Sequence, residues 1–417
     1  MRYTTNHPAS KAGGQYQDIK YRLHNYLIAE IEADKVHLPG MSEEQVNTYI
    51  SAKVFKFVAS IDYVVNAQDI ENLTSEMIDE LSGFGPLQSL IDDESINDIL
   101  VNGANNIFVE QDGVLEPTGY RFIDDQHVLR VVRKILAPLG RRIDESSPIV
   151  DARLPDGSRI NVIIPPLALN GPCVSIRKFR KEPFSGNDLV AFGTLSHEML
   201  DFLLNAVECK VNIMISGGTG SGKTTLLNLL SRAILPKERV VTIEDAAELK
   251  LNHNHVVSLE SRPGNLEGEG EITARTLVRN ALRMRPDRII LGEIRGDEVM
   301  DVLQAMNTGH EGSMSTIHAN NPEDALLRME LLSGLAGFRG SDLTLRRMIS
   351  AAIDLLVQIS RMPNGDRKIT SIVEVLGVRD NIFVTNELFS YDVSRQEFIT
   401  SPTPASTPKL KTLFHAK

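Results

Sequence analysis

The residues best suited to chemistry begin at Gly217. The stretch SGGTGSGKTTLLN sets Gly217, four residues, then Gly222, Lys223 and Thr224. Gly217, Gly218, Gly220 and Gly222, with Thr219 and Ser221 between them, let backbone N–H groups wrap phosphate oxygens without a Cβ in the way. A helix starting here points its positive end at the anion. Lys223 reaches the β- and γ-phosphates, Thr224 offers its hydroxyl to Mg²⁺, and Thr225 is grouped with the loop. The bland alternative is a glycine-rich turn. The context decides between them, because the motif lies between a predicted strand, VNIMIS, and a predicted helix.

Two acidic groups follow. RVVTIEDAAEL ends a buried strand with Glu244, Asp245 and Glu248, and DRIILGEIRG ends another with Gly292 and Glu293. Ligands of open parallel sheets bind beyond the carboxyl ends of the strands, so both groups belong to the edge that carries the glycine loop. A carboxylate there holds Mg²⁺ through water or orients the attacking water. Asp245 and Glu248 serve equally well as helix caps. Glu293, after four strand residues and a glycine, has the form of a Walker B position with Glu in place of Asp, and is the candidate metal residue together with Thr224.

GHEGSMSTIHANN holds His310 and His318 around a predicted strand. Eight extended residues separate them by about 26 Å, and a helix would still leave about 12 Å, so one metal ion does not fit both. His318 falls at the carboxyl end of the strand and suits a γ-phosphate sensor: an imidazole donates to a phosphate and loses that partner after hydrolysis. His310 falls toward the opposite edge or a subunit contact.

These residues need elements to hold them. The chain has 417 residues, 42% of them hydrophobic and 24% charged, with a net charge of -11. That composition is globular. Its acidity argues against a duplex-DNA binder, which shows a basic domain or stripe. No apolar run reaches 18 residues, the N-terminus lacks the apolar core of a signal peptide, and the two isolated cysteines, Cys173 and Cys209, suit a reducing compartment. The expected location is the cytoplasm.

Along the chain, residues 1–15 are polar and expected to be disordered. Residues 16–81 show helical apolar spacing, with Ile19, Leu23, Tyr26, Leu27 and Ile31 on one stripe, and predict a small helical bundle. Residues 82–182 alternate in short β-type runs broken by Asn-Gly and Asp-Gly hairpin signals and predict an α+β domain. A linker is expected at 183–194. Residues 195–398 alternate strands and helices and predict an α/β domain with an open, mainly parallel sheet. The Pro/Ser/Thr-rich end, 399–417, reads as a flexible tail.

In order, SGGTGSGKTTLLN, TIEDAAEL, RMRPDRIILGEIRG and GHEGSMSTIHANNPEDAL resemble the Walker A, acidic box, Walker B and His box of the secretion ATPase superfamily, which serves type II and type IV secretion and type IV pili. INDILVNGANNIFVEQDG and DARLPDGSRINVIIPP resemble that family's N-terminal domain, and the likeness covers about residues 16–391. The helical N-terminal region and DARLPDGSRIN look most like the CpaF-type ATPase of tight-adherence (Tad) pili. The four-cysteine zinc motif of many type II members and the AIRNLIRE-type helix of retraction members are not found. The resemblance implies a RecA-like C-terminal domain, a PAS-like N-terminal domain and a ring hexamer that binds ATP with Mg²⁺ and works on a membrane platform protein at the inner membrane. It supplies Arg159 and Arg177, with Arg153 beside them, as residues that approach the phosphates, and leaves Arg283, Arg285 and Arg295 as weaker candidates. Surface ion pairs are the bland reading of these arginines.

The expected function is an ATPase motor of pilus assembly. Within the family, an ATPase exporting DNA or effector proteins is the alternative. Outside it stand a nucleic-acid-dependent RecA-like motor, disfavoured by the acidic charge, and a nucleotide-gated scaffold, disfavoured by the set of acids.

Overall fold

Helices α1 (Ala12–Ala33), α2 (Glu43–Ser60) and α3 (Ala67–Leu81) form where apolar residues recur every three or four positions. Ile19, Leu23 and Leu27 of α1 are buried against Val46, Ile50, Val54 and Phe57 of α2 and Leu73 and Met77 of α3. Burial of each large aliphatic side chain contributes about 1.5–3 kcal/mol, more than helix propensity supplies. Ser42 starts α2 through a reciprocal capping box with Gln45, and Asn66 caps α3. The structure is a computed structural model and describes residues 12–61, 65–111, 113–179, 184–262 and 270–414. The disorder expected for residues 1–15 falls outside that range up to residue 11, and from Ala12 the chain is already helical.

The chain divides into two compact units, Met1–Arg180 and Lys181–Lys417. The first contains the three helices, a short α4 (Gln88–Asp92) and a six-stranded sheet. Its strands are β1 (Ile96–Asn102), β2 (Ile107–Gln111), β3 (Val114–Pro117), β4 (Ile149–Arg153), β5 (Arg159–Ile163) and β6 (Cys173–Arg177), ordered β3-β2-β1-β6-β5-β4 and antiparallel throughout. Gly103 turns the first hairpin with φ 69°, a backbone setting that favours glycine. Helix α5 (Asp125–Leu136), capped by Asp124, lays Val128, Val132 and Ile135 on the core beneath the sheet.

The second unit opens with α6 (Gly186–Ala191), capped by Ser185. Most of the described part of the stretch expected as a linker at 183–194 is therefore ordered, with Leu189 buried. Then follow α7 (His197–Glu208), β7 (Ile213–Gly217), α8 (Lys223–Ser231), β8 (Val240–Glu244), β9 (Val256–Glu260), α9 (Ala274–Ala281), β10 (Arg288–Ile294), α10 (Val299–Asn307), β11 (Met314–His318), α11 (Pro322–Leu335), α12 (Asp342–Ala352), β12 (Leu355–Arg361), β13 (Arg367–Arg379), β14 (Ile382–Asp392), β15 (Glu397–Thr400) and α13 (Pro408–Phe414). The sheet order is β15-β14-β13-β12-β7-β11-β10-β8-β9. Strands β12 through β9 run parallel, as a RecA-like core requires, and β13 to β15 add an antiparallel wing. β7, β8 and β10 are almost wholly buried because helices cover both faces, which is why they read as continuous apolar runs.

The end of the chain corrects an expectation. Residues 399–417 were expected to be a flexible tail. Instead Glu397–Thr400 pairs with β14, and α13 packs with Leu410 fully buried. The anchor is Glu374 of β13, itself fully buried, which accepts hydrogen bonds from the Ser406 and Thr407 N–H groups and from Asn386. A Pro/Ser/Thr-rich composition cannot reveal a buried carboxylate 32 residues upstream of Ser406 that collects its N–H groups. No helix among the described residues is long and apolar enough to cross a membrane.

Candidate functional site

The glycine loop leaves β7 at Gly217 and enters α8 at Lys223. Gly220 and Gly222 have φ of 68° and 100°, which turns the backbone into a cradle that a side chain would strain. A Cβ on Gly217 would lie 2.3 Å from the Ile359 carbonyl oxygen and 2.6 Å from Ser221 Oγ, so that position accepts only glycine. Gly222 carries no side chain to cap α8, leaving the first N–H groups of the helix facing the loop. Lys223 Nζ folds over the loop and donates to the Gly217 and Gly218 carbonyls, each at 3.0 Å. Ser221 Oγ braces the turn against the Gly218 carbonyl at 2.9 Å. Thr224 and Thr225 lie half-buried on the first turn of α8. The cradle, the uncapped helix and the lysine together fit a nucleotide polyphosphate.

The acids sit on the same carboxyl edge. Glu244 ends β8 and is buried; its Oε2 accepts from the Glu248 and Leu249 N–H groups at 2.8 and 3.0 Å. Gly292 makes room for it, because a Cβ there would meet Glu244 Cγ at 3.1 Å. Glu293 stands one residue on, on β10, with its carboxylate bound to Arg295 Nε at 2.6 Å. Arg295 also reaches Asp245 at 3.0 Å, and Asp245 accepts from Ser261 Oγ at 3.0 Å. Burial works against the Arg295 charge, but Glu293 and Asp245, with Glu248, outweigh it and raise the guanidinium pKa above its ordinary value. Among the described residues, Glu244, Glu293 and Asp245 thus form one cluster with Arg295 bridging two of them.

The two histidines part company. His318 ends β11 in register with Gly217 of β7, directly beside the root of the glycine loop. Thr316, two residues earlier, fixes β11 to β10 by donating to the Gly292 carbonyl at 2.8 Å. His310 precedes β11 at the other edge, its Nδ1 3.3 Å from the Ala305 carbonyl oxygen and its own carbonyl accepting from Ser313 Oγ.

Arg153, Arg159 and Arg177 lie in the first unit, at matching positions of β4, β5 and β6. Arg159 is half-buried and Arg177 exposed.

Two arginines of the second unit escaped the reading of the sequence. Arg361 and Arg367 are paired across the β12–β13 hairpin, and Arg367 Nε donates to the Gly220 carbonyl of the loop at 3.1 Å. Their distance of more than 130 residues from the loop hides this brace, and only the adjacency of β12 to β7 exposes it. Arg295, a weaker candidate in the sequence, owes its place to the bridge to Asp245, which joins the ends of two strands.

Comparison with known proteins adds three findings. The family model described as type II/IV secretion system protein matches residues 80–379, well over half of the chain. A Mycobacterium tuberculosis (strain H37Rv) protein named for conjugal transfer is 39% identical over 299 residues, covering 70% of this chain and 84% of the relative. The type IV secretion system protein VirB11 of Bartonella henselae is 31% identical over 363 residues, covering 76% of this chain and 99% of its own. Among solved structures, the Yersinia pseudotuberculosis ATPase DotB aligns with TM-score 0.51 at 19% identity, over 71% of this chain and 78% of that one, a likeness in fold.

Proposed function

The chain belongs to the type II/IV secretion system protein family, and from that premise we propose that it is an ATP-hydrolysing hexameric motor powering a Tad or related type IV-like pilus at the inner membrane. One observation carries the ATPase reading. The phosphate cradle of Gly217–Thr225 shares the carboxyl edge of one parallel sheet with Glu244, Glu293 and His318.

The roles follow from the chemistry. Lys223 and the loop N–H groups bind and orient the phosphates. Thr224 and Glu293 would hold Mg²⁺, which when bound neutralises phosphate charge. Glu244, fixed by two backbone N–H groups, orients water for in-line attack. His318 donates to the terminal phosphate. Arg159 and Arg177 add positive charge for the transition state, with Arg153 beside them. Release of phosphate then loosens the first unit from the second, and in a hexamer successive closures push on a membrane platform protein. Nucleic acid is not part of this scheme.

The pilus assignment rests on DARLPDGSRIN and the helical N-terminal region. A second reading, an ATPase of a type IV transfer system exporting DNA or effectors, is favoured by the names of the similar relatives. Tad pilin genes beside this one, and loss of pili on its deletion, separate the two. The test of the motor is phosphate release at several protein concentrations with mass measured in the same samples. Turnover should rise as a hexamer forms, vanish in Lys223→Ala and fall at least tenfold in Arg159→Ala while the ring persists. Full turnover by a monomer, indifferent to Arg159, would sink the ring mechanism.

A further inference from the structure

Strand β12 reads LLVQIS from Leu355 to Ser360, and Gln358 interrupts its apolar run. The side chain is buried. A buried amide costs free energy unless its hydrogen bonds are made, and an apolar residue would fill the position without that cost.

Its partners lie at the candidate site. The sheet order runs β12-β7-β11, and Gln358, Ser216 and Ile317 share one row across it. The next row holds Ile359, Gly217 and His318. Gln358 Oε1 accepts from Ser216 Oγ, one residue before the glycine loop. Gln358 Nε2 donates to the Ala319 and Asn320 carbonyls at 3.3 and 3.0 Å, and these are the two residues that follow His318. Turned over, the amide would set its oxygen against both carbonyls, so the partners fix its orientation. One side chain thus reaches from β12 over β7 to the turn after β11. That turn ends at Asn321, which caps α11.

Strand β11 is tied on its other flank as well. Thr316 donates to the Gly292 carbonyl, one residue before Glu293. His318 therefore leaves a strand end held on two sides, by Thr316 toward β10 and by Gln358 toward β12.

We propose that Gln358 is a positioning residue: by holding the turn after His318 to the strand that feeds the glycine loop, it fixes where the imidazole stands relative to the phosphate cradle. This rests on the reading that the site hydrolyses ATP and that His318 meets the terminal phosphate. Precise placement has a large effect on rate, since a shift of about 1 Å at a reacting group can cost about a hundredfold.

The test uses the full-length protein, with steady-state ATP turnover and with ADP and AMP-PNP each displacing a fluorescent nucleotide. Gln358→Met keeps an unbranched side chain of similar length and removes the amide. Its kcat should fall about tenfold while KM stays within about twofold. Its preference for AMP-PNP over ADP should weaken as far as in His318→Ala. The double variant should be no more than about twofold worse than His318→Ala, because both changes act on one contact. A merely structural amide would lower the melting temperature and leave kcat per folded molecule and that preference as in the wild type. That result overturns the proposal, and so does a double variant whose losses multiply.

Should Gln358→Met fail to fold, Gln358→Glu decides. Its ionised carboxylate would face two carbonyl oxygens, and a proton restores one donor. Turnover relative to wild type should therefore climb as pH falls from about 8 to about 6. A flat ratio overturns the proposal. The two levels separate. If Lys223→Ala keeps turnover, or His318→Ala keeps both turnover and preference, the reading of the site fails. If those variants lose them and Gln358→Met does not, only the positioning role fails.

Discussion

Gly217 and Glu293 illustrate two kinds of necessity at the scale of single residues. Gly217 has no room: any Cβ meets the Ile359 carbonyl and Ser221 Oγ. Gly217→Ala should therefore displace the loop from β12 and lower nucleotide affinity at least tenfold, read with a fluorescent nucleotide, alongside a lower melting temperature. Retained affinity would show that the cradle tolerates a shift. Glu293 has room but is held by Arg295. Glu293→Gln keeps the volume and removes the charge, so ATP should still bind while turnover falls about a hundredfold or more. Nucleotide binding measured beside phosphate release separates the two effects, and a variant with full turnover would return Glu293 to a structural role.

Among the elements, the wing β13–β14 and the helix α13 show how distant segments are tied. Burial alone would raise the pKa of Glu374, but the Ser406 and Thr407 N–H groups and Asn386 outweigh it and lower it below the ordinary 4.5. A carboxylate with a depressed folded pKa contributes stability that is present above the unfolded value and lost as pH falls through the folded one. Acid melts should therefore show wild type losing stability below about pH 4.5 more steeply than Glu374→Gln, which starts less stable at pH 7. Equal slopes would show that the contact carries nothing. Leu410→Ala removes a fully buried side chain and should cost about 2–5 kcal/mol in a denaturant titration.

The same elements show what the sequence disclosed. A contiguous motif such as SGGTGSGKTT declares itself, because its chemistry is local. Apolar periods disclosed α1 to α3 and the strands β7, β8, β10 and β11, since those elements are fixed by what they bury. The long β13–β14 hairpin was not singled out, although Asp380 and Asn381, both with positive φ, mark its turn. The alignment of Arg153, Arg159 and Arg177 across β4, β5 and β6 was invisible for a different reason. It depends on the register of three strands, and a one-residue slip would send those side chains to the other face.

For the whole molecule, charge and partition set the expectations. A chain with net charge -11 carries no excess of basic charge to draw a strand of nucleic acid. Single-stranded DNA should leave phosphate release unchanged at low salt; a steep, salt-sensitive rise would favour the nucleic-acid motor. The two units each carry their own apolar core.

The buried end of the chain changes how deletions of this protein must be interpreted. A version stopped before residue 405 removes α13, uncovers the floor beneath Leu410 and strips Glu374 of its Ser406 and Thr407 donors. Its silence in an activity assay would then be the silence of a damaged scaffold. A lost partner-binding segment could not be inferred from it.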